Sequence, residues 1–288
     1  MNVDPSDPSS PKVTHQPNSF QYRFVPYDRG DLSAGGRLQA LQVRVNGKPV
    51  VFHANDPVGD VFGKASLALN TPGARFPARW VTVHDTATDG NASFDANALA
   101  KAAGATPFRR PENGAWQPGS NFRSFVFAAT GDTNALAGQV PSLAARGSWG
   151  TLYHVQLNAA GNSGTLTVEA LGDASHASFD NITWLTPDTF AAAEDRGNTL
   201  HSQLNMLDSV WAYRLGDPDP QRMLALGRDP VSEADAATGG EDNEPTGIYR
   251  SNGDVTAAGM QGTLASLSGA RMFITQQHGE NTLWEFVK

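Results

Sequence analysis

One arginine and one carboxylate flank a proline in the middle of the chain, and these residue types bind phosphate and cations. Arg110 and Glu112 lie on either side of Pro111. Proline fixes its own φ and disfavours the helical region for the residue before it, so the sequence predicts an extended Arg110, and residues two apart in an extended chain point to one side. A carboxylate suits a hard divalent cation, and a guanidinium suits a phosphate oxygen. The alternative is an exposed ion pair, or a turn contact between Arg109 and Glu112, worth under about 1 kcal/mol.

A second group of oxygen-bearing side chains lies at the ends of two neighbouring strand-like segments. Asp180 and Asn181 come before one apolar segment, and Glu194 and Asp195 end the next. Calcium takes roughly six to eight oxygen ligands in flexible geometry, and loops at strand ends supply such ligands. The pattern therefore predicts metal ligands at all four positions. The alternative is that Asp and Asn simply begin turns, which they often do.

An acidic run precedes a third strand-like segment. Glu241, Asp242 and Glu244 come just before Thr-Gly-Ile-Tyr, and Glu244 enters the strand itself. A solvated acidic loop is the default explanation for such a run, and a metal-ligand role for Glu244 is the alternative. His278 follows two glutamines at the end of a later strand, where a structural hydrogen bond is the more common role. The other histidines show no metal-ligand spacing.

Composition and motifs exclude several classes of function. The formal net charge is −8 and the basic residues are scattered, so neither nucleic acid nor a membrane surface is expected as a partner. Without cysteine there are no disulfides or thiolate ligands, and a metal must use oxygen or imidazole. No apolar run approaches about 18 residues, and the N-terminal segment does not read as a signal peptide. No nucleophile elbow, P-loop or GxGxxG motif is present.

The chain reads as an all-β protein. Short runs rich in Val, Phe, Tyr, Trp and Thr alternate with clusters of Gly, Asn, Asp and Pro, which is typical of antiparallel meanders in a sandwich, barrel or propeller. Charged residues make up only 17% of the chain, beside 29 glycines and 18 prolines. The predicted strands are residues 20–26, 37–45, 79–85, 123–130, 151–158, 165–171, 181–186, 189–195, 210–215, 247–251, 270–277 and 282–287.

Two segments depart from this pattern. Residues 1–18 are rich in Pro, Ser, Asp and Asn, and they are expected to form a loosely ordered tail before a single domain over residues 19–288. The alanine-rich stretch 94–107 predicts one short helix near residues 95–103. Asp95 or Ser93 can cap its start, and Gly104 can end it.

Four stretches together, in the same order, resemble the PhoX family of calcium-dependent alkaline phosphatases. They are FQYRFVPYDRGDLSAGGRLQALQV (20–43), ALAKAAGATPFRRPENG (98–114), FDNITWLTPDTFAAAEDRG (179–197), and EPTGIYRSNGD (244–254) with ARMFITQQHGENTLW (270–284). The resemblance covers about 250 residues, and it implies that the chain corresponds to the C-terminal part of a β-propeller built from four-stranded antiparallel blades.

The resemblance also implies roles for individual residues. Glu112 would ligate metal, Arg110 would hold a phosphate oxygen, and Glu244 matches the acidic residue before Thr-Gly in the family. Calcium is the expected metal, with iron as an alternative at a shared site. The substrate would be a phosphate ester, and the family's usual location is periplasmic or secreted.

The sequence departs from the family at its N-terminal side. In PhoX proteins a cysteine that helps hold iron, and further metal- and phosphate-binding residues, lie upstream of the first of these stretches. Three explanations are open: the sequence is a fragment or domain of a longer protein, it is a partial propeller that self-associates or is completed by a second chain, or it has abandoned the chemistry. The predicted function is phosphate ester hydrolysis, with this chain supplying part of the site. The alternatives are a non-catalytic propeller module that binds calcium or a protein, and a lactonase-type calcium hydrolase.

Overall fold

The structure, a computed structural model, describes residues 16–132, 135–217, 219–226, 244–251, 271–277 and 281–286. In these ranges the chain forms fifteen strands and seven short α-helices. The strands are β1 (Tyr22–Pro26), β2 (Gly36–Val45), β3 (Lys48–Pro49), β4 (Arg75–Asp85), β5 (Pro111–Trp116), β6 (Ser124–Ala129), β7 (Thr151–Leu157), β8 (Ser163–Leu171), β9 (Phe179–Trp184), β10 (Thr189–Glu194), β11 (Ser209–Arg214), β12 (Gln221–Ala225), β13 (Pro245–Ser251), β14 (Arg271–Gln276) and β15 (Leu283–Phe286).

The first eight strands share one curled antiparallel sheet, in the order β1-β2-β4-β8-β7-β6-β5, with β3 paired to β2. The long strand β4 joins two meanders because its ends pair with different neighbours. Its first half, from Arg75 to Arg79, pairs with β8, and its second half, from Ala78 to Asp85, pairs with β2. Because β4 pairs with both neighbours, the first eight strands form one continuous sheet and not separate blades.

The later strands form two smaller antiparallel meanders. Strands β12-β11-β10-β9 make a four-stranded sheet, and β13-β14-β15 make a three-stranded sheet. The end strand β9 contacts both β5, which ends the large sheet, and β13, which ends the small one. Three sheets that bring their end strands together form the hub of a partial propeller. This arrangement confirms the predicted all-β fold.

At β6, two hydrophobic cores cover the two faces of the large sheet. Successive side chains of a strand point to opposite faces. On β6, Phe125, Phe127 and Ala129 pack in one core with residues of the large sheet. Val126 and Ala128 pack in the other core, against side chains of the four-stranded sheet. Burial on both faces explains why β6 is an unbroken apolar segment rather than an alternating one.

The predicted alanine-rich helix is present as α4. The helices of the chain are α1 (Pro57–Phe62), α2 (Lys64–Ala68), α3 (Thr86–Asp89), α4 (Ala96–Ala102), α5 (Ala135–Gln139), α6 (Pro141–Ala144) and α7 (Gly197–Leu204). Asp95 caps α4 by accepting a hydrogen bond from the Ala98 N–H at 3.0 Å, and Gly104 follows with a φ of 68°. The other six helices were not predicted. Like α4 they are too short for a helical periodicity to show, and α4 was recognised by its alanine content and its cap residues instead.

Residues 16–18 of the predicted tail lie within the described part of the chain. The Gln16 side chain donates hydrogen bonds to the His53 carbonyl at 3.2 Å and to the Asp60 carboxylate at 2.7 Å. The rest of the predicted tail, together with Glu241, Asp242 and His278, lies outside the described residues. None of the helices in the described ranges is both long enough and apolar enough to cross a membrane.

Candidate metal and phosphate site at the propeller hub

Three carboxylates converge where the end strands of the three sheets meet. Asp180 lies on β9, Asp195 directly follows β10, and Glu244 directly precedes β13. One ligand oxygen of each lies within 4.8 Å of the others, so the cluster could hold a metal ion. The backbone brings the first two together, because the Asp195 N–H donates to the Ser178 carbonyl at 2.9 Å. Residues far apart in the sequence thus share one hub.

A β-bulge in β13 sets the direction of the Glu244 segment. The pairing of β13 with β14 shifts between Thr246 and Tyr249, and Gly247 within the bulge has a φ of 56°. Only glycine adopts such a φ without strain. The segment is held at its start by the Gln277 N–H, which donates to the Glu244 carbonyl at 3.0 Å. The Thr-Gly pair is therefore the local reason that Glu244, which is 5% exposed, enters the hub.

Arg110 and Glu112 lie side by side at the same hub, with Nη2 of Arg110 3.7 Å from Oε1 of Glu112. The predicted extended conformation of Arg110 is wrong, because its φ is 52°. The Thr130 N–H donates to the Arg110 carbonyl at 2.8 Å, which holds this backbone where β5 begins. A positive φ costs a non-glycine residue about 1 kcal/mol or more. This backbone strain lies at Arg110, whose side chain is 33% exposed and lies beside the hub carboxylates.

Electrostatics show that the group is crowded with negative charge. Burial raises the pKa of the Asp180 carboxyl to about 6, and the negative charges of Asp195 and Glu112 contribute to this rise. The Arg110 cation and a hydrogen bond from Asn181 act in the opposite direction. Glu112 therefore lies close enough to Asp180 to repel it. A bound cation would relieve this repulsion.

Asn181 bridges the three end strands. Its Nδ2 donates to Asp180 Oδ2 at 2.7 Å and to Thr246 Oγ1 at 3.1 Å, while its Oδ1 accepts from Asn113 Nδ2 at 3.3 Å. The amide predicted as a ligand thus orients a neighbouring carboxylate and ties β5 to β13. Asn113 and Thr246 were not predicted as site residues, although Asn113 directly follows Glu112 and Thr246 lies two positions after Glu244.

Glu194 points away from the three-carboxylate cluster. Its carboxylate lies 2.9 Å from Nη2 of Arg196 in a fully buried ion pair, and it accepts a hydrogen bond from the Ala177 N–H at 2.9 Å. Adjacent residues of a strand point to opposite sides, so Glu194 and Asp195 cannot both face the hub. This geometry corrects the expectation that both side chains share one site. Burial raises the pKa of Glu194 to about 7, against the effect of Arg196.

A Ser–His–Glu row crosses three strands of the large sheet. Ser124 Oγ lies 2.7 Å from His154 Nε2, and His154 Nδ1 lies 3.4 Å from Glu169 Oε1. Ser124 is fully buried, so a substrate carbonyl cannot reach its hydroxyl. The second distance is also too long for a tight base–orienter hydrogen bond. The row is therefore a structural cross-strand network.

The hub combines four carboxylates with one guanidinium on three separate sheets. Carboxylates supply hard oxygen ligands for divalent cations, and the guanidinium of Arg110 supplies a fork of N–H donors for an oxyanion. Such a set can bind a cation and an anionic group next to each other. All five of these residues were already singled out from the sequence, and they are Arg110, Glu112, Asp180, Asp195 and Glu244.

Comparison with known proteins relates the chain to a solved phosphatase by fold. The structure is similar to that of Pseudomonas fluorescens PhoX in complex with vanadate, a transition state analogue, with a TM-score of 0.54 and 12% sequence identity. The likeness covers 92% of this chain and 45% of that chain, so this chain spans under half of that protein's length. A Mycobacterium tuberculosis puromycin-hydrolyzing peptidase matches with a TM-score of 0.37 and 11% identity, over 93% of this chain and 30% of that chain. No protein-family model and no curated protein sequence matches this chain. The chain therefore has a PhoX-like fold.

Proposed function

We propose that the hub is part of a metal-dependent phosphoesterase site that hydrolyses phosphate esters. The observation that carries the proposal is the meeting of Asp180, Asp195 and Glu244 within 4.8 Å, with Glu112 and Arg110 beside them. The fold likeness to PhoX adds support. In the proposed reaction water displaces the alcohol from phosphorus, so that one P–O bond forms and the ester P–O bond breaks.

The residues of the hub fit a divalent cation of the calcium type, with iron as an alternative at a shared position. Asp195, Glu244, Asp180 and Glu112 would hold it through carboxylate oxygens, which hard cations prefer. When bound, such a cation supplies positive charge to phosphate oxygens and lowers the pKa of water. The pKa of Asp180 is raised first by burial and then by the negative charges of Asp195 and Glu112, and a bound cation would oppose both effects.

Arg110 is proposed to bind the non-bridging oxygens of the phosphoryl group. Its Nη2 lies 3.7 Å from Glu112, too far for a tight hydrogen bond, and about a third of its side chain is exposed. The guanidinium can therefore turn toward a ligand without breaking a short pair. Its strained backbone fixes the start of the side chain, and its charge would stabilise the negative oxygens of the transition state.

Hydrolysis of p-nitrophenyl phosphate tests the proposal. The full chain is assayed with added calcium, with and without iron, and is compared with Glu112→Gln and with Glu285→Gln. Glu285 pairs with Arg271 on the surface, which makes it a matched control. We expect turnover that Glu112→Gln lowers at least about 100-fold and that the control retains, since metal-assisted charge stabilisation is worth several kcal/mol. Equal turnover in the two variants would refute the role of the hub.

A non-catalytic calcium- or protein-binding propeller module is the second candidate. Three carboxylates whose ligand oxygens lie within 4.8 Å of one another could hold a cation without catalysis, which supports this candidate. Saturable calcium binding without turnover of the phosphate ester would support this candidate. A lactonase-type hydrolase would instead hydrolyse γ-butyrolactone under the same conditions and leave the phosphate ester intact.

We further propose that a second copy of the chain, or another polypeptide, completes the ring around the hub. The three sheets bring β5, β9 and β13 together, and among the described residues no further strand pairs with the outer edges of β1, β12 and β15. Unpaired strand edges favour association with further strands. Sedimentation at increasing protein concentration, with turnover measured in parallel, tests whether activity requires the assembled form. By resemblance to PhoX, a periplasmic or secreted location is also proposed.

A further inference from the structure

An open pocket lies on the large sheet where β4 runs between β2 and β8. Its volume is about 360 Å³, and its lining includes Arg44, Pro77, Arg79 and Thr165. The two arginines are the charged residues of this lining, and no carboxylate belongs to it. The wall of this arginine pocket is therefore positively charged, although the chain as a whole carries a formal net charge of −8.

The register of the sheet places both arginines on one face. Arg79 of β4 lies opposite Gln42 of β2, and Arg44 is two residues after Gln42, so all three side chains point to the same side. Val43 and Ala78 point to the other side, into a hydrophobic core. Arg44 and Arg79 are diagonal neighbours on paired strands, roughly 7–8 Å apart, a separation that long side chains span. Two guanidiniums can therefore contact one ligand.

A buried glutamine fixes the direction of the Arg79 side chain. Nε of Arg79 donates to Oε1 of Gln42 at 2.8 Å. Gln42 is 4% exposed, and its own Nε2 donates to the Gly104 carbonyl just after α4 at 2.8 Å. Arg79 itself is exposed, and in the described ranges its two Nη groups form no hydrogen bond. These groups are therefore held in place and are accessible to a ligand from solvent.

The positive charge of the arginine pocket is not neutralised by the part of the chain that the structure describes. Arg44 makes one long contact, from Nη1 to the Gly47 carbonyl at 3.4 Å, and that partner is neutral. Neither Arg44 nor Arg79 forms an ion pair with a described carboxylate. Like charges on neighbouring positions of a sheet repel each other. An anion that contacts both guanidiniums would offset this repulsion with charge-assisted hydrogen bonds.

We propose that the arginine pocket binds a tetrahedral oxyanion of the phosphate class between Arg44 and Arg79. The Thr165 hydroxyl, on the strand that pairs with β4 at Pro77, can donate a further hydrogen bond. Three strands separate β4 from β5 of the hub, which corresponds to about 19 Å along the sheet. The site is therefore independent of the hub carboxylates and of the proposed phosphoesterase activity.

An NMR titration with inorganic phosphate tests the proposal, in a chelator so that the hub carries no metal. We expect saturable shifts of the backbone amides of residues 163–165, with a dissociation constant on the order of millimolar. Low ionic strength is required, because salt screens exposed charges. Sulfate should bind about as tightly as phosphate. Acetate should bind at least about fivefold more weakly, because one negative charge interacts less favourably with two cations.

Four variants locate the binding site. Arg79→Gln and Arg44→Gln should each weaken phosphate binding at least about fivefold, because each removes one of the two cations. Thr165→Glu keeps both arginines but places a carboxylate beside them, and it should abolish binding. Arg123→Gln is the matched control, because Arg123 is an exposed arginine just before β6 that does not line the pocket, and it should bind phosphate as the wild type does.

Two hub variants distinguish this proposal from the proposed function. Glu112→Gln and Arg110→Lys should bind phosphate in the chelator as the wild type does, whatever their effect on turnover with metal. The proposal is overturned if phosphate causes no saturable shifts up to about 50 mM, or if Arg79→Gln or Arg44→Gln binds it as tightly as Arg123→Gln. It is also overturned if Arg110→Lys abolishes the shifts, since the anion would then lie at the hub.

Discussion

Replacing Asp180 with asparagine should stabilise the metal-free protein at neutral pH while weakening its affinity for cations. Burial and the charges of Asp195 and Glu112 raise the pKa of Asp180 from 3.8 to about 6. Between those pH values the folded state binds more protons than the unfolded state does. The free energy of unfolding therefore falls as the pH rises through this window.

The size of the effect follows from the same shift. A rise in pKa from 3.8 to about 6 corresponds to about 3 kcal/mol of destabilisation at pH 7. Asp180 is only partly buried, so screening by solvent reduces the expected value to about 1–2 kcal/mol. Asparagine keeps the shape and an acceptor oxygen but carries no charge. We thus expect Asp180→Asn to gain about 1–2 kcal/mol at pH 7 and nothing at pH 4.

Urea unfolding of both proteins at pH 4, 5, 6 and 7 in a calcium chelator measures this difference. With excess calcium the order should reverse, because binding stabilises the wild type in proportion to its affinity for the ion. The reasoning is refuted if Asp180→Asn is less stable than the wild type at pH 7 without metal. It is equally refuted if the difference between the two proteins does not change between pH 4 and pH 7.

Three further variants separate the roles at and near the hub. Arg110→Lys should retain calcium affinity but lower turnover of p-nitrophenyl phosphate at least about tenfold, since a lysine cannot make the bidentate contact. Unchanged turnover would show that Arg110 does not bind the phosphoryl group. Arg110→Gly should raise the free energy of unfolding by about 1 kcal/mol by relieving the positive φ, and urea unfolding that shows a loss would contradict the strain. Glu194→Gln should gain stability relative to the wild type as the pH rises from 4.5 to about 7, because burial raises the pKa of Glu194 over this range and the variant carries no charge there; urea unfolding that shows the same difference at both pH values would contradict the shift.

The sequence predicted the strands that carry strong apolar patterns. Each of the twelve predicted strands overlaps an observed strand, and the helix at Ala96–Ala102 is correct. Strands β3, β5 and β12 were not predicted. Strand β5 begins with Pro-Glu-Asn-Gly, residues that are typical of turns, and it forms because β6 supplies a hydrogen-bonding edge. Local pattern could not reveal that edge. The joining of eight strands into one sheet also depends on long-range contacts, because β4 pairs with both β2 and β8.

The sequence predicted which residues form the candidate site better than it predicted the directions of their side chains and backbone. Acidic residues at strand ends indicated Asp180, Asp195 and Glu244, and the structure brings these together. The side of the strand that Glu194 faces depends on a bulge in the pairing of β9 with β10, between Ala192 and Glu194, which the sequence does not encode in a recognisable motif. The backbone of Arg110 is similarly set by its hydrogen bond to Thr130 and not by the local preference before proline.

Calcium titration of two adjacent variants tests the central claim most directly, namely that the hub carboxylates form one cation site. Asp195→Asn removes a carboxylate of the cluster, whereas Glu194→Gln changes its neighbour on the opposite side. Calorimetry should show saturable calcium binding by the wild type and by folded Glu194→Gln, and at least about tenfold weaker binding by Asp195→Asn. Equal calcium affinity in Asp195→Asn and the wild type would contradict the account.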